Sequence, residues 1–323
     1  MEATAAIRSD FIFDIAPAPC AHASTLAETG RGLVAAWFGG SYEGHDDVGI
    51  WLAERPLHGG RWSEPRLVAE GVQADGKRYP CWNPVLHRAR AGPLLLFYKV
   101  GPSPSRWWGM VMRSDDQGRS WEAPQRLPDG ILGPIKNKPI ETGDGSLICP
   151  SSSERGRWRV HVEYAGDGGQ AWHAGKPLNS GRDFAAIQPC LMVWPDAGYQ
   201  LLCRTRQGVV ADCRSNDGRH FSPLRATVLP NPDSGIDGVV LGDGRGVLVY
   251  NHAARRRTPL NVAVSADGGR TWAPTLVLEC EAGEFSYPAV ICDGAGLVQI
   301  TYTWNRQTIR HVTVDPRALP RPE

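Results

Sequence analysis

The sequence lacks the features that would point to a membrane protein or a nucleic-acid binder. No apolar run reaches the 18 residues of a spanning helix, and residues 1–10 show no apolar segment with a cleavage signature, so we expect neither a transmembrane helix nor a secretory signal. There is also no excess of charge. The 35 basic and 34 acidic residues leave a net charge of +1, which argues against binding to nucleic acid or a membrane surface.

Signatures of metal and redox chemistry are missing as well. The eight cysteines form no CxxC pair, and no ligand spacing such as HExxH occurs. Most cysteines stand in apolar runs, such as Cys203 after two leucines, so we expect buried free thiols. These observations predict a cytoplasmic protein in a reducing compartment, with no metal and no cofactor.

Glycine, proline and tryptophan are abundant instead. The 323 residues include 37 glycines, 26 prolines and 12 tryptophans. Because glycine and proline disfavour helix interiors, a mainly helical fold is excluded, and many short strands joined by turns are favoured. The hydrophobic content of 41% is sufficient for a large core.

A turn motif of the form Ser-x-Asp-x-Gly-x-Thr-Trp repeats along the chain. Its terminal aromatic residue recurs about every 50 residues, at Trp62, Trp121, Trp172, Phe221 and Trp272. Glycine permits a positive φ in such a turn, the aspartate accepts backbone N–H bonds and the aromatic ring packs on the sheet. We therefore interpret these motifs as structural, and their aspartates as neither catalytic nor calcium-binding.

Two strand-like segments accompany each copy of the motif. The first opens with a polar residue, often before proline, as in Tyr287-Pro288, and the second is rich in leucine, valine and aromatics, as in residues 94–100. The motif occurs five times and the strand segments six times, the additional copy beginning near His22. Six copies predict an all-β, six-bladed β-propeller that forms a single domain over residues 1–323. We expect residues 11–15 to join the last blade beside residues 308–314 and close the ring.

Equivalent strand starts in a propeller converge at one mouth of its channel, and here they carry polar residues of several types. Such diversity is poor packing chemistry and favours a binding site. The first strands are predicted to place there His22, Asn83, Lys136, Lys138, Gln188, Asp237 and Tyr287, and the second strands Lys99, Arg204, Asn251 and Trp304. The excess of cations predicts an anionic ligand, such as a carboxylated sugar. Trp107 and Trp108 are either a packing pair or a platform for a sugar.

The turn motif is the Asp-box of the sialidase superfamily, which the chain resembles over nearly its whole length. That resemblance implies three arginines for the substrate carboxylate, a tyrosine nucleophile with a glutamate partner, and an aspartate acid/base. The matching positions hold Tyr287, Arg204, Arg257 (in competition with Arg255 and Arg256) and Asp47, with Glu43 as a second carboxylate in the same segment.

Two positions depart from the family pattern. His22 stands where the first arginine belongs, and Gln188 stands where the glutamate partner belongs. A neutral amide cannot remove the proton of a tyrosine, whose pKa is near 10. The resemblance is therefore to a divergent member, and it implies an acidic sugar or glycan as the substrate without specifying sialic acid.

Three functions remain open from the sequence. The first is an exo-acting glycoside hydrolase, with Asp47 as general acid/base and Tyr287 as nucleophile or transition-state stabiliser. The second is a lyase of uronic-acid polysaccharides, with Tyr287 and His22 as base and acid. The third is a non-catalytic glycan-binding propeller. Each implies a small-molecule or oligosaccharide ligand, with no nucleic acid and no membrane as partner.

Overall fold

The strands form six separate four-stranded antiparallel sheets. The computed structural model describes residues 6–57, 59–166, 169 and 171–320, and within them it contains 24 strands and one short 3₁₀ helix, Pro316–Ala318. The prediction of a six-bladed β-propeller is confirmed. No helix among these residues is long and apolar enough to cross a membrane.

Each blade takes its strands in order from the channel outward. The first blade contains β2 (Cys20–Thr29), β3 (Gly32–Gly40), β4 (Gly49–Pro56) and β5 (Arg66–Ala69). The second contains β6 (Cys81–Arg88), β7 (Leu94–Val100), β8 (Trp108–Ser114) and β9 (Gln125–Arg126). The third contains β10 (Ile140–Glu141), β11 (Leu147–Ser153), β12 (Arg159–Gly166) and β13 (Ala171–Ala174).

The remaining blades repeat this order. The fourth contains β14 (Ala186–Trp194), β15 (Gly198–Thr205), β16 (Val209–Ser215) and β17 (Arg225–Pro230). The fifth contains β18 (Asp237–Val240), β19 (Gly246–Asn251), β20 (Leu260–Ser265) and β21 (Ala273–Glu279). The sixth contains β22 (Phe285–Cys292), β23 (Val298–Trp304), β24 (Thr308–Val314) and, from the other end of the chain, β1 (Ala6–Phe11).

The ring closes through β1, which pairs antiparallel with β24. Closure was predicted, but the expected strand, residues 11–15, is wrong, because the pairing ends at Phe11. Ile12 and Phe13 are buried instead, and Phe13 stacks on Trp37 of the first blade with ring centroids 5.1 Å apart. Ile12 still donates its N–H to the Ile309 carbonyl of the sixth blade at 2.9 Å, and Phe13 packs on the first blade.

The blades pack face to face, so their second strands are buried at nearly every position. In β7, LLLFYKV, every residue is buried. Phe38, Leu86 and Tyr98 belong to one core shared by the first two blades. All eight cysteines are free, and five of them are buried, as expected, whereas Cys280 is exposed.

The Asp-box turns join the third and fourth strands at the face opposite the inner-strand starts. Asp267 accepts hydrogen bonds from the backbone N–H groups of Arg270 and Thr271 and from the Ser265 hydroxyl. Equivalent bonds from Ser120 lower the pKa of Asp116 to about 2. These contacts fit the structural role predicted for the motif. In the degenerate third copy, Asp167, Gly168 and Gln170 lie outside the described residues.

Four inner strands carry a β-bulge close to their first residues. At each bulge one non-glycine residue has a positive φ: Ala23 (53°), Asn83 (39°), Gln188 (53°) and Tyr287 (55°). A bulge turns a side chain away from the regular alternation of the strand, and strained backbone of this kind clusters at functional sites. The residue equivalent to Tyr287 in the first blade is therefore Ala23, so the placement of His22 at that position is wrong by one residue.

Candidate functional site

One face of the propeller gathers the inner-strand starts and the loops between the second and third strands. We call it the site face. Its loops are residues 41–48, 101–107, 154–158, 206–208, 252–259 and 305–307. Tyr287 and its neighbours lie at the centre of this face.

Tyr287 is held by arginine side chains from other blades. The Nη1 atom of Arg204, at the end of β15, donates hydrogen bonds to the Tyr287 hydroxyl and to Gln188 Oε1, the latter at 3.0 Å. The guanidinium carbons of Arg204 and Arg257 lie 5.4 and 5.5 Å from the tyrosine ring centroid, and Lys136 Nζ lies 5.9 Å from it. Negative charge developing on the phenol oxygen would be stabilised by these cations.

Arg204 remains charged although it is buried. Burial alone would lower its pKa, but Tyr287, Asp233 and Glu154 together raise it. Its Nε atom lies 3.1 Å from Asp233 Oδ1 in an ion pair. The guanidinium is thus fixed between a carboxylate and the tyrosine hydroxyl.

His22 lies directly against the tyrosine. The two ring centroids are 4.3 Å apart, and the imidazole is 1% exposed. Burial, followed by the charges of Arg306, Arg257 and Arg204, lowers the pKa of His22 well below its usual value. The imidazole is therefore neutral at physiological pH. Neither ring nitrogen has a hydrogen-bond partner within the described residues.

Arg306 completes the cationic surroundings, and the sequence reasoning missed it. It lies in the turn between β23 and β24, and its Nε donates to Glu284 Oε1 at 2.9 Å. Arg257 Nη1 donates to the same oxygen at 2.7 Å. Burial would raise the pKa of Glu284, but these two arginines hold it below its usual value. We use the name tyrosine cluster for Tyr287, His22, Arg204, Arg257 and Arg306.

Two further carboxylates near Arg204 were also missed. Asp233 has a positive φ of 57° and a side chain that is 39% exposed. Burial raises the pKa of Glu154, in the β11–β12 loop, although Arg204 acts in the opposite direction. Both residues lie in loops outside the repeated segments. The only sequence signal that could have identified them as site residues is their position next to predicted strand ends.

The two predicted carboxylates of the β3–β4 loop differ in their contacts. Glu43 forms an ion pair with Arg306, so it touches the tyrosine cluster. Asp47 accepts a hydrogen bond from Ser41 N at 2.9 Å, and its Oδ1 lies 2.8 Å from His45 Nδ1. Although slight burial acts the other way, the bonds from Ser41 and His45 lower the pKa of Asp47 to about 2. Within the described residues, these side-chain contacts of Asp47 stay inside its own loop.

Lys136 is buried between three blades. Its ammonium donates to Asn137 Oδ1 at 2.8 Å, to the Ile236 carbonyl at 3.2 Å and to the Pro288 carbonyl next to Tyr287. Burial, partly offset by Asp237, lowers its pKa to about 8. Lys136 therefore fixes the backbone next to Tyr287 through its hydrogen bond to the Pro288 carbonyl.

Lys138 and Asp237 form another connection across the channel. Lys138 Nζ lies 3.0 Å from both oxygens of Asp237, which also accepts a hydrogen bond from Val290 N at 2.7 Å. Among the described residues, no contact joins this pair to the Tyr287 side chain. These hydrogen bonds connect the third, fifth and sixth blades, which indicates a structural role for the pair.

Other predicted site residues are not brought to Tyr287 by contacts of the described residues. Lys99 is fully buried, donates to the Pro134 carbonyl, and has a pKa lowered by burial to about 7. Asn251 donates to the Phe285 carbonyl at 2.8 Å. Trp304 packs its edge on Phe11, and Asn83 is buried in its bulge. No cluster of three or more histidine, cysteine or acidic residues suited to a metal ion occurs in the described ranges.

The repeat architecture has a counterpart in a known family. The family model of the BNR repeat-like domain matches residues 30–300. The chain belongs to this family. A search of curated proteins by sequence gives no match.

Solved structures show which folds this BNR repeat-like protein is similar to. The Hadza microbial sialidase Hz136 aligns with a TM-score of 0.80 and 18% identity, covering 94% of this chain and 67% of that one. A Dyadobacter fermentans protein of unknown function aligns at 0.78 and 16%, covering 96% and 98%. The Trypanosoma rangeli sialidase aligns at 0.70 and 14%, covering 93% and 56%. The BNR repeat-like chain therefore has a sialidase-like propeller fold, consistent with a divergent member of that superfamily.

Proposed function

We propose that the protein is a sialidase-like, exo-acting glycoside hydrolase that removes a terminal acidic sugar. The observation that carries this proposal is the hydrogen bond from Arg204 to the Tyr287 hydroxyl, inside a cluster that also holds Arg257 and Arg306. Three guanidiniums suit a sugar carboxylate, because each presents donors in a fixed planar fork. The sialidase-like fold of the neighbouring structures agrees with this assignment.

Tyr287 would act on the anomeric carbon as nucleophile or as stabiliser of its positive charge. The transition state of glycoside cleavage resembles an oxocarbenium ion, so electron density from a phenol oxygen lowers its energy. Arg204 donates a hydrogen bond to that oxygen and stabilises the negative charge left there when the phenol proton passes to solvent water. Gln188 orients Arg204 through its amide oxygen at 3.0 Å and does not act as a base.

Two carboxylates of the β3–β4 loop are candidates for protonating the leaving group. Asp47 holds the position that the superfamily pattern assigns to the acid, and Glu43 contacts Arg306. A carboxylate with a pKa of about 2 is ionised at neutral pH, so Asp47 would donate a proton only after a bound substrate displaces water and raises its pKa.

The hydrolase is favoured over the lyase by the state of His22. A lyase that uses His22 as its acid needs an imidazolium near neutral pH. The pKa of His22 is instead held well below its usual value by burial and by neighbouring cations. A neutral imidazole better serves as a hydrogen-bond partner for the sugar.

The test is incubation with a panel of aryl glycosides of sialic, glucuronic and galacturonic acids. The panel also contains 4-linked uronic-acid oligosaccharides, because a lyase breaks a C4–O glycosidic bond that the aryl monosaccharides lack. We expect one member to be cleaved without an ultraviolet-absorbing unsaturated product, and Tyr287→Phe to reduce kcat at least 100-fold. Tyr98→Phe is the matched control, because Tyr98 is buried in the blade core with its hydroxyl unbonded among the described residues. An unsaturated product would establish the lyase instead, and binding without any turnover would establish a glycan-binding propeller.

A further inference from the structure

A cavity opens on the site face between the second and third blades. It has a volume of 450 Å³, and its walls come from the β7–β8 loop, the linker after β9 and the β11–β12 loop. We name it the Trp107 cleft, and its principal side chains are Arg106, Trp107, Trp108, Arg126, Arg155 and His161. No step proposed for Tyr287 uses any of these residues.

The cleft adjoins the loop that carries Glu43 and Asp47. The indole of Trp82 contacts Trp107 edge to face, with ring centroids 5.9 Å apart. On another side, Trp82 lies so close to Gly44 that a Cβ on this glycine would be 3.3 Å from the indole. The Trp82 side chain therefore lies between the β3–β4 loop and the cleft and contacts both. Glu43 of the same loop pairs with Arg306, so this loop contacts both the tyrosine cluster and the indole that packs on Trp107.

The cleft combines aromatic rings with unused positive charge. Arg126 lies over the Trp108 ring at 5.1 Å and pairs with Asp129 at the rim. Arg106 and Arg155 have no carboxylate partner within the described residues. The cleft therefore has three guanidiniums and one carboxylate. This excess of positive charge favours a negatively charged ligand.

We propose that the Trp107 cleft is a subsite for a second acidic sugar of the same glycan. An indole offers a flat apolar surface for a pyranose ring, while the guanidiniums bind a carboxylate or sulfate on it. The proposal rests on the proposed function, because the tyrosine cluster holds the terminal sugar. It names the substrate as an acidic oligosaccharide in which at least two units carry negative charge.

The experiment is titration calorimetry of the full chain with two series of probes, oligogalacturonates and α2,8-linked sialic acid oligomers, each of one to four units. We expect the tetramer of one series to bind at least 10-fold more tightly than its monomer. Arg155→Gln and Trp107→Ala should each reduce this ratio at least threefold and leave monomer binding unchanged. Arg155 is exposed, so its substitution should not disturb folding even if the loss of Trp107 does.

The control is Arg119→Gln, since Arg119 is an exposed arginine of the second blade, which also carries Trp107, and it lies on the opposite face. It should leave every affinity unchanged. Equal affinity for monomer and tetramer in both series, or a ratio that neither cleft variant alters, would overturn the subsite. Tetramer binding that depends on the cleft, without any monomer binding or turnover, would support the subsite and contradict the proposed function.

Discussion

At the scale of single residues, the notable feature of the site is that Arg306 acts on His22. The superfamily pattern places an arginine on the first inner strand, and this chain has a histidine there. Arg306, from the turn of the sixth blade, is the charge with the largest effect on that histidine. It also shares Glu284 with Arg257. We therefore propose that Arg306 supplies the third guanidinium of the carboxylate site, from a different blade.

Arg306→Gln tests this replacement. We expect KM for the acidic substrate to rise about 10- to 100-fold with a smaller change in kcat, because a charge-assisted hydrogen bond contributes about 1.5–3 kcal/mol. Steady-state kinetics on the cleaved aryl glycoside measures both constants. Arg317→Gln, an exposed arginine paired with Asp315, is the control. An unchanged KM in Arg306→Gln would exclude the arginine from carboxylate binding.

At the scale of strands and linkers, a single ammonium ties the blades together beneath the tyrosine. Lys136 leaves the linker before β10 and donates to carbonyls in front of β18 and within β22. Buried carbonyls that lose their donor cost about 1–3 kcal/mol each. One of these bonds fixes the strained Tyr287-Pro288 backbone, so we expect stability and the proposed activity to depend on the same side chain.

Lys136→Met should therefore lower the free energy of unfolding by about 2–4 kcal/mol, as two carbonyls lose their partner. It should also reduce kcat more than KM, since Tyr287 loses its backbone support. Urea denaturation and kinetics measure the two effects. Lys176→Met, at an exposed lysine, provides the baseline. If both variants behave alike, Lys136 has no positioning role.

The sequence could predict the elements far better than the site. The Asp-box recurs in the sequence itself, so blade number and strands such as β7 and β23 follow from it. The one-residue error at His22 arose because a bulge inserts a residue without changing the hydrophobic pattern. Arg306, Asp233 and Glu154 lie in loops, where no period constrains them. Lys99 illustrates the opposite case, a predicted site residue that no contact of the described residues joins to Tyr287. Its strand position was predicted correctly, but the sequence did not show that its ammonium would be buried against the Pro134 carbonyl.

At the scale of the whole molecule, buried basic groups set the response to pH. Burial and the charges of Arg55 and Arg8 lower the pKa of His311 to about 3, and His22 is lowered as well. The unfolded chain protonates these histidines below pH 6.5, whereas the folded protein does not, so stability falls as pH decreases from 6.5 towards 3. Lys99 and Lys136 have pKa values of about 7 and 8, so between those values and 10.5 stability rises with pH.

We therefore expect the protein to be less stable at pH 5 than at pH 8. His311 contributes about 2 kcal/mol to the loss between pH 7 and pH 5, and His22 acts in the same direction. Urea unfolding at pH 5, 6.5 and 8 measures the slope, and His311→Gln should make it shallower. Equal stability at the two ends of this range would refute the assignment of neutral buried histidines.

The position of a bound sugar carboxylate tests the account most directly. A crystal soaked with a mixture of acidic monosaccharides should show one of them with its carboxylate within hydrogen-bond distance of Arg204, Arg257 and Arg306. Its anomeric carbon should face the Tyr287 oxygen. Density for the sugar only elsewhere, or with its carboxylate turned away from these arginines, would contradict the account.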